Sequence, residues 1–138
     1  IPEGPARREL VRGHSITLSD GRRVEPEQVL GPPRRGTRLV HIGDAASTEG
    51  LLEACRDADG LVIEATYLEA QHDLAHEFGH LTARQAAELA RTAGVGALYL
   101  THISRRYREK EVLEEAQPIF PSVSVVRDFD RFQIKRAD

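Results

Sequence analysis

Short unbroken apolar runs alternate along this chain with stretches in which apolar residues return every three or four positions. The runs at 60–65 and 97–100, the second just after Gly94 and Gly96, read as buried strands. Residues 37–42 carry Leu39, Val40 and Ile42 and read as another. Residues 122–127 alternate as a strand, and 131–134 as a last short one. Ser47 is placed to cap a helix over 48–57, with Leu51, Leu52 and Cys55 on one face. Residues 67–78 read as a helix through Leu68, Leu74, Ala75 and Phe78, stopped by Gly79. Thr82 with Gln85 forms a capping box for an amphipathic helix over 83–93, and 109–117 is a further helix ahead of Pro118. Before residue 36 the signal is thinner. Residues 1–13 are turn-rich without periodicity, 15–18 and 22–24 suggest a hairpin about Asp20-Gly21, and Pro26 opens one helical turn before a rigid Gly-Pro-Pro loop. No linker is evident.

Strands separated by helices give an α/β protein with parallel strands and right-handed crossovers. The C-terminal ends of such strands share one edge, where ligands bind. Three of these ends carry ionisable side chains: Asp44, Glu64 and His102. Carboxylates and imidazoles are zinc ligands, and a carboxylate can bridge two ions. Directly after His102 come Arg105, Arg106 and Tyr107, suited to an anionic substrate.

Composition narrows the picture. A length of 138 residues suits one domain, and no run approaches the roughly 18 apolar residues of a membrane span. The net charge of −3 argues against a general polyanion coat, although arginines come in local pairs. The single Cys55 excludes an internal disulfide, fits a reducing cytosol, and reads as a small packing residue. The chain contains no methionine, so it is expected to be a piece of a longer polypeptide or a processed product. His72 and His76 share a helical spacing and read as exposed helix histidines. Asp20 reads as turn chemistry, and Asp128 and Asp130 flank a turn.

Taken together and in order, several short stretches resemble the ribonuclease Z family of the metallo-β-lactamase superfamily. They are Val-Leu-Gly-Pro-Pro at 29–33, Gly43-Asp44, Glu64-Ala65-Thr66, His80 followed by Thr82-Ala83-Arg84-Gln85-Ala86-Ala87, and Thr101-His102 with Ser104, Arg106 and Tyr107. The resemblance implies that residues 1–138 are the C-terminal half of a metallo-β-lactamase-type αββα sandwich. It implies a zinc-dependent endoribonuclease that removes the 3′ trailer from precursor tRNA, cytoplasmic and homodimeric when complete. By the same resemblance Asp44 bridges two zinc ions, His102 ligates one, and Glu64 and His80 assist proton transfer. Arg106 and Tyr107 lie near the phosphate path, and Arg105, beside them, is a further candidate for the substrate phosphate. The chain departs from the family at Ile63, Leu81 and Ala45, where the family has histidine, serine and threonine. The family's His-x-His-x-Asp-His signature is absent, so the N-terminal half is expected to be a required partner. A non-catalytic remnant, or another hydrolase of the same fold such as a small-molecule phosphodiesterase, stays open. Asp44 and His102 are expected in one pocket, reached also by Glu64 and His80, with free N–H groups at the helix start near Thr82 favouring an anion.

Overall fold

The structure is a computed structural model that describes residues 4–136. It forms two compact units, one ending at Arg35 and one beginning at Gly36.

In the first unit, Pro5–Val11 forms helix α1, where a turn-rich stretch was expected. Pro5 stands in the first turn, where its missing N–H costs nothing. The helix has one buried side chain, Leu10, which is why no apolar period marks it in the sequence. Strands β1 (Ile16–Thr17) and β2 (Arg23–Val24) pair antiparallel, as expected, around a turn in which the Asp20 carboxylate accepts the Arg22 N–H at 3.0 Å. Pro26–Gln28 is a 3-10 turn.

The second unit carries β3 (Leu39–Ile42), α2 (Leu52–Cys55), β4 (Gly60–Glu64), α3 (His72–Phe78), α4 (Ala83–Ala93), β5 (Leu98–Thr101), α5 (Glu109–Ala116) and β6 (Val123–Val125). The sheet order is β3-β4-β5-β6, all parallel. Leu61, Ile63, Leu98 and Leu100 turn one face of the sheet into a core shared with Cys55 of α2, Ala86, Ala87 and Ala90 of α4, and Val112 and Ala116 of α5. The α4 contacts are alanines spaced for one helix face, and their size brings the helix backbone close to the sheet. Gly96 permits an equally close approach before β5: a Cβ there would stand 2.7 Å from the Asp59 carbonyl oxygen. The opposite face of the sheet presents Val62 and Tyr99 and is open at Leu39, which is 53% exposed.

Three elements of the second unit differ from the sequence pattern. The expected helix over 48–57 shrinks to α2, because Gly50 adopts a positive φ of 76° and Ser47 caps the Glu49 N–H outside the helix. The expected helix over 67–78 starts only at His72. Tyr67 instead forms a parallel bridge to Thr82, and a 3-10 turn over Glu69–Gln71 follows. Residues 131–134 form no strand. They lie across the open sheet face, with the Phe132 ring 4.8 Å from that of Tyr99 and Ile134 against Gly60. No described helix is long and apolar enough to cross a membrane.

Candidate metal centre

Parallel register puts the ends of β3, β4 and β5 side by side. Glu64, the last residue of β4, is the register partner of Thr101, the last of β5, and Asp44 lies two residues beyond β3. His102 follows β5 with φ 56°, a left-handed conformation that a non-glycine side chain adopts at a cost and that clusters at functional sites. His80 sits in the connection between α3 and α4, immediately after Gly79, whose left-handed geometry ends α3.

These segments bring three donors together. Asp44, His80 and His102 each offer one ligand atom, all within 4.8 Å of one another. His102 Nε2 is 3.8 Å from Asp44 Oδ1, and the His80 and His102 rings are 5.2 Å apart by centroid. A tetrahedral zinc bound at its usual distances spaces its ligand atoms roughly 3.3–3.5 Å apart. One carboxylate and two imidazoles at this spacing therefore fit a zinc ion. Three donors suffice for one ion and fall short of two. Among the described residues no other such group occurs. His72 and His76 stand exposed on α3, as expected.

Glu64 does not open onto this cluster. It is 1% exposed and lies behind His80, with both oxygens occupied. Oε1 accepts from the Ala45 N–H, the Leu81 N–H and His80 Nδ1, each at 3.1 Å. Oε2 accepts from the Thr66 N–H at 3.1 Å and the Thr66 hydroxyl at 2.6 Å. Five donors converge on this one buried carboxylate. Glu64 thus knits the loops after β3 and β4 to the loop that carries His80. The departures at Ala45 and Leu81 leave this intact, because both residues contribute through their backbone N–H groups. Ile63 is fully buried in the core.

The expected anion site at the start of α4 is not formed. The Ala83 N–H bonds to the Tyr67 carbonyl at 2.9 Å, the Arg84 N–H to Glu115 at 3.0 Å, and the Gln85 N–H to the Thr82 hydroxyl at 3.1 Å. Each donor that a helix start leaves over has a protein acceptor.

The arginine-rich loop after His102 divides. The Arg106 guanidinium lies 6.0 Å from the centroid of the Tyr67 ring, and that ring is 6.1 Å from His80. Arg106 is therefore on the histidine side. Tyr107 donates its hydroxyl to Gln71 Oε1 and is committed there. Arg105 is exposed in a shallow depression with Val125 and Arg127, and among the described residues it makes no hydrogen bond to the cluster. Sequence reasoning attached no role to Thr66, Tyr67 or Gln71. A signal was available for Thr66, a polar residue two positions past the carboxylate at a buried strand end.

Residues 8–103 match the family model of the beta-lactamase superfamily domain. The chain belongs to the beta-lactamase superfamily. Over 134 residues it is 49% identical to a ribonuclease Z of a Bradyrhizobium species, covering 97% of this chain and 44% of that protein. Identity to the ribonuclease Z of Archaeoglobus fulgidus is 43% over 136 residues, again 97% of this chain and 44% of the relative. The chain thus spans less than half the length of these curated relatives. Among solved structures, human tRNase Z, short form, superposes with a TM-score of 0.58 at 31% identity, over 82% of this chain and 37% of that one. The metallo-β-lactamase fold protein YhfI from Bacillus subtilis superposes with a TM-score of 0.60 at 24% identity, over 64% and 36%. One parallel sheet with a helix layer on one face is, in this superfamily, half of the metallo-β-lactamase-type αββα sandwich.

Proposed function

We propose that this chain is the C-terminal half of a ribonuclease Z: a zinc-dependent endoribonuclease that removes the 3′ trailer from precursor tRNA by phosphodiester hydrolysis. The observation that carries this reading is the convergence of Asp44, His80 and His102 within 4.8 Å at one sheet edge, in a chain 49% identical to a protein named ribonuclease Z. Asp44 and His102 would hold zinc, which when bound supplies Lewis acidity at the phosphoryl group and a lowered pKa for water. With His80 assigned to proton transfer, Asp44 and His102 are too few for two ions, so further ligands come from outside these 138 residues and the N-terminal half is a partner in the reaction.

The chain's own residues divide the remaining work. His80 gives Nδ1 to Glu64 and keeps Nε2 for the cluster. Held by Glu64 from behind, the His80 ring is oriented toward the cluster and is suited to carry a proton to the leaving oxygen. Arg106, braced on the Tyr67 ring, is placed to pair with a phosphate oxygen. Tyr107 supports this loop through Gln71. Arg105 is left for the outer substrate backbone. The complete protein is read as a cytoplasmic homodimer.

The experiment is a zinc determination and a precursor tRNA cleavage assay, on this chain alone and with its N-terminal half restored. The expected result is weak, substoichiometric zinc and no cleavage for the chain alone, with both recovered on completion. Efficient cleavage by the chain alone would overturn the half-site argument. Two tightly held zinc ions in the completed protein without cleavage of any precursor RNA would favour a small-molecule hydrolase.

A further inference from the structure

Thr66 is 8% exposed and engages both histidine-bearing loops at once. On one side its hydroxyl is 2.6 Å from Glu64 Oε2 and 3.4 Å from His80 Nδ1. On the other its carbonyl accepts the Ser104 N–H at 3.1 Å, two residues beyond His102. The hydrogen positions follow from the chemistry. The Thr66 hydroxyl donates to Oε2, so its proton points there. The hydroxyl oxygen then has only lone pairs to offer His80, and Glu64 Oε1 has the same. Nδ1 of His80 faces two acceptors and must carry the proton. In the neutral ring the lone pair is left on Nε2.

We propose that Thr66 is a positioning residue that fixes the tautomer of His80 and couples its loop to that of His102. The idea rests on the metal-site reading above, and concerns what holds that site in shape. Without the hydroxyl, Oε2 keeps only the Thr66 N–H, and His80 Nδ1 loses one of the two acceptors that face it. The Ser104 link alone does not hold the imidazole. Outer partners of metal-site histidines act in this way, orienting the ring and setting which nitrogen is free.

The test uses Thr66→Val, which keeps shape and loses the hydroxyl, with Thr66→Ala as a second deletion and Thr66→Ser as the conservative rescue. The first readout is the pair of His80 ring 15N shifts in the metal-free 138-residue chain, at about pH 8.5, where an ordinary imidazole is neutral. The parent and Thr66→Ser should show a single Nδ1-protonated form, while Thr66→Val and Thr66→Ala should move toward an average of two tautomers. The second readout is turnover of the completed protein. Both deletions should lower kcat about 10–100-fold while KM barely moves, and Thr66→Ser should restore it. Thermal melting separates a folding defect: if Thr66→Val unfolds, Thr66→Ala against Thr66→Ser decides. Unchanged ring shifts and turnover on hydroxyl deletion would overturn the proposal, as would a Thr66→Ser that behaves like Thr66→Val. A completed protein that cleaves no RNA but shows the expected ring shifts would sink the nuclease reading and leave this one standing.

Discussion

Glu64 shows how burial turns a site residue into a scaffold. Two oxygens serve five donors from three loops, so the side chain acts as a joint between them. Glu64→Gln replaces one oxygen with an NH2 group that must face donors on either side. The expected loss is about 2–4 kcal/mol of folding stability, from stranded N–H groups. Urea titration of the 138-residue chain with circular dichroism measures it, and a variant as stable as the parent would mean the carboxylate is not the joint described. Asp44 and His102 were legible in the sequence because polarity arrives abruptly after apolar runs, and a parallel sheet collects such positions at one edge. The direction of each side chain was not legible. Arg106 and Tyr107 are neighbours in sequence, yet one lies over the Tyr67 ring and the other binds Gln71. That division depends on the left-handed turn at His102, which no spacing rule reveals.

At the scale of elements, the start of α4 holds the metal edge in place. Glu115 of α5 accepts the Glu69 N–H through one oxygen at 2.9 Å and the Arg84 N–H through the other at 3.0 Å. Thr82 caps Gln85 and donates its hydroxyl to Glu69 at 2.8 Å. One side chain of α5 thereby fixes the segment after β4 and the N-terminus of α4, on either side of the His80 loop. Glu115→Ala removes two helix-end acceptors at once and should cost about 1–2 kcal/mol, the range for a lost cap. Hydrogen exchange should show it as faster exchange at Glu69 and Arg84 in particular. Uniform acceleration across the second unit would instead indicate a global effect. The capping box at Thr82 and Gln85 was readable because its partners are three residues apart. Glu115 was not, because its partners lie 31 and 46 residues away. The same cause lies behind the misread helix over 67–78, where the bridge from Tyr67 to Thr82 overrides a local helical pattern. Residues 131–134 alternate as a strand should, and Phe132 and Ile134 do turn toward the sheet, but no backbone partner pairs with them among the described residues.

At the scale of the whole molecule, the order of strands and helices was enough for a parallel α/β sheet with its chemistry at one edge. The division at Arg35 was not foreseen, since the Gly-Pro-Pro loop before it reads equally well as a rigid connection within one body. The core of the second unit offers a chemical reporter on its integrity. Cys55 is the only cysteine in the chain, and it is fully buried between α2 and the α4 alanines. Burial raises its pKa, because the thiolate is poorly solvated there, and the Arg38 guanidinium offsets this only in part. A thiol whose folded pKa is raised contributes stability that is fully present below its unfolded pKa of about 8.5 and is lost as pH rises through the folded value. The melting temperature should therefore decline above about pH 8.5, and this component should vanish in Cys55→Ala measured against its own value at neutral pH. Iodoacetamide gives the kinetic counterpart. At pH 8 the native chain should resist alkylation, and its labelling rate should climb with urea in step with the loss of ellipticity, because the thiol is reached only when the helix layer leaves the sheet. Labelling of the native chain at the rate of a free thiol would show that α2 opens on its own. In that event Cys55 would report local fraying of a four-residue helix, and the core would have to be probed instead from Val112 or Ala116 on α5.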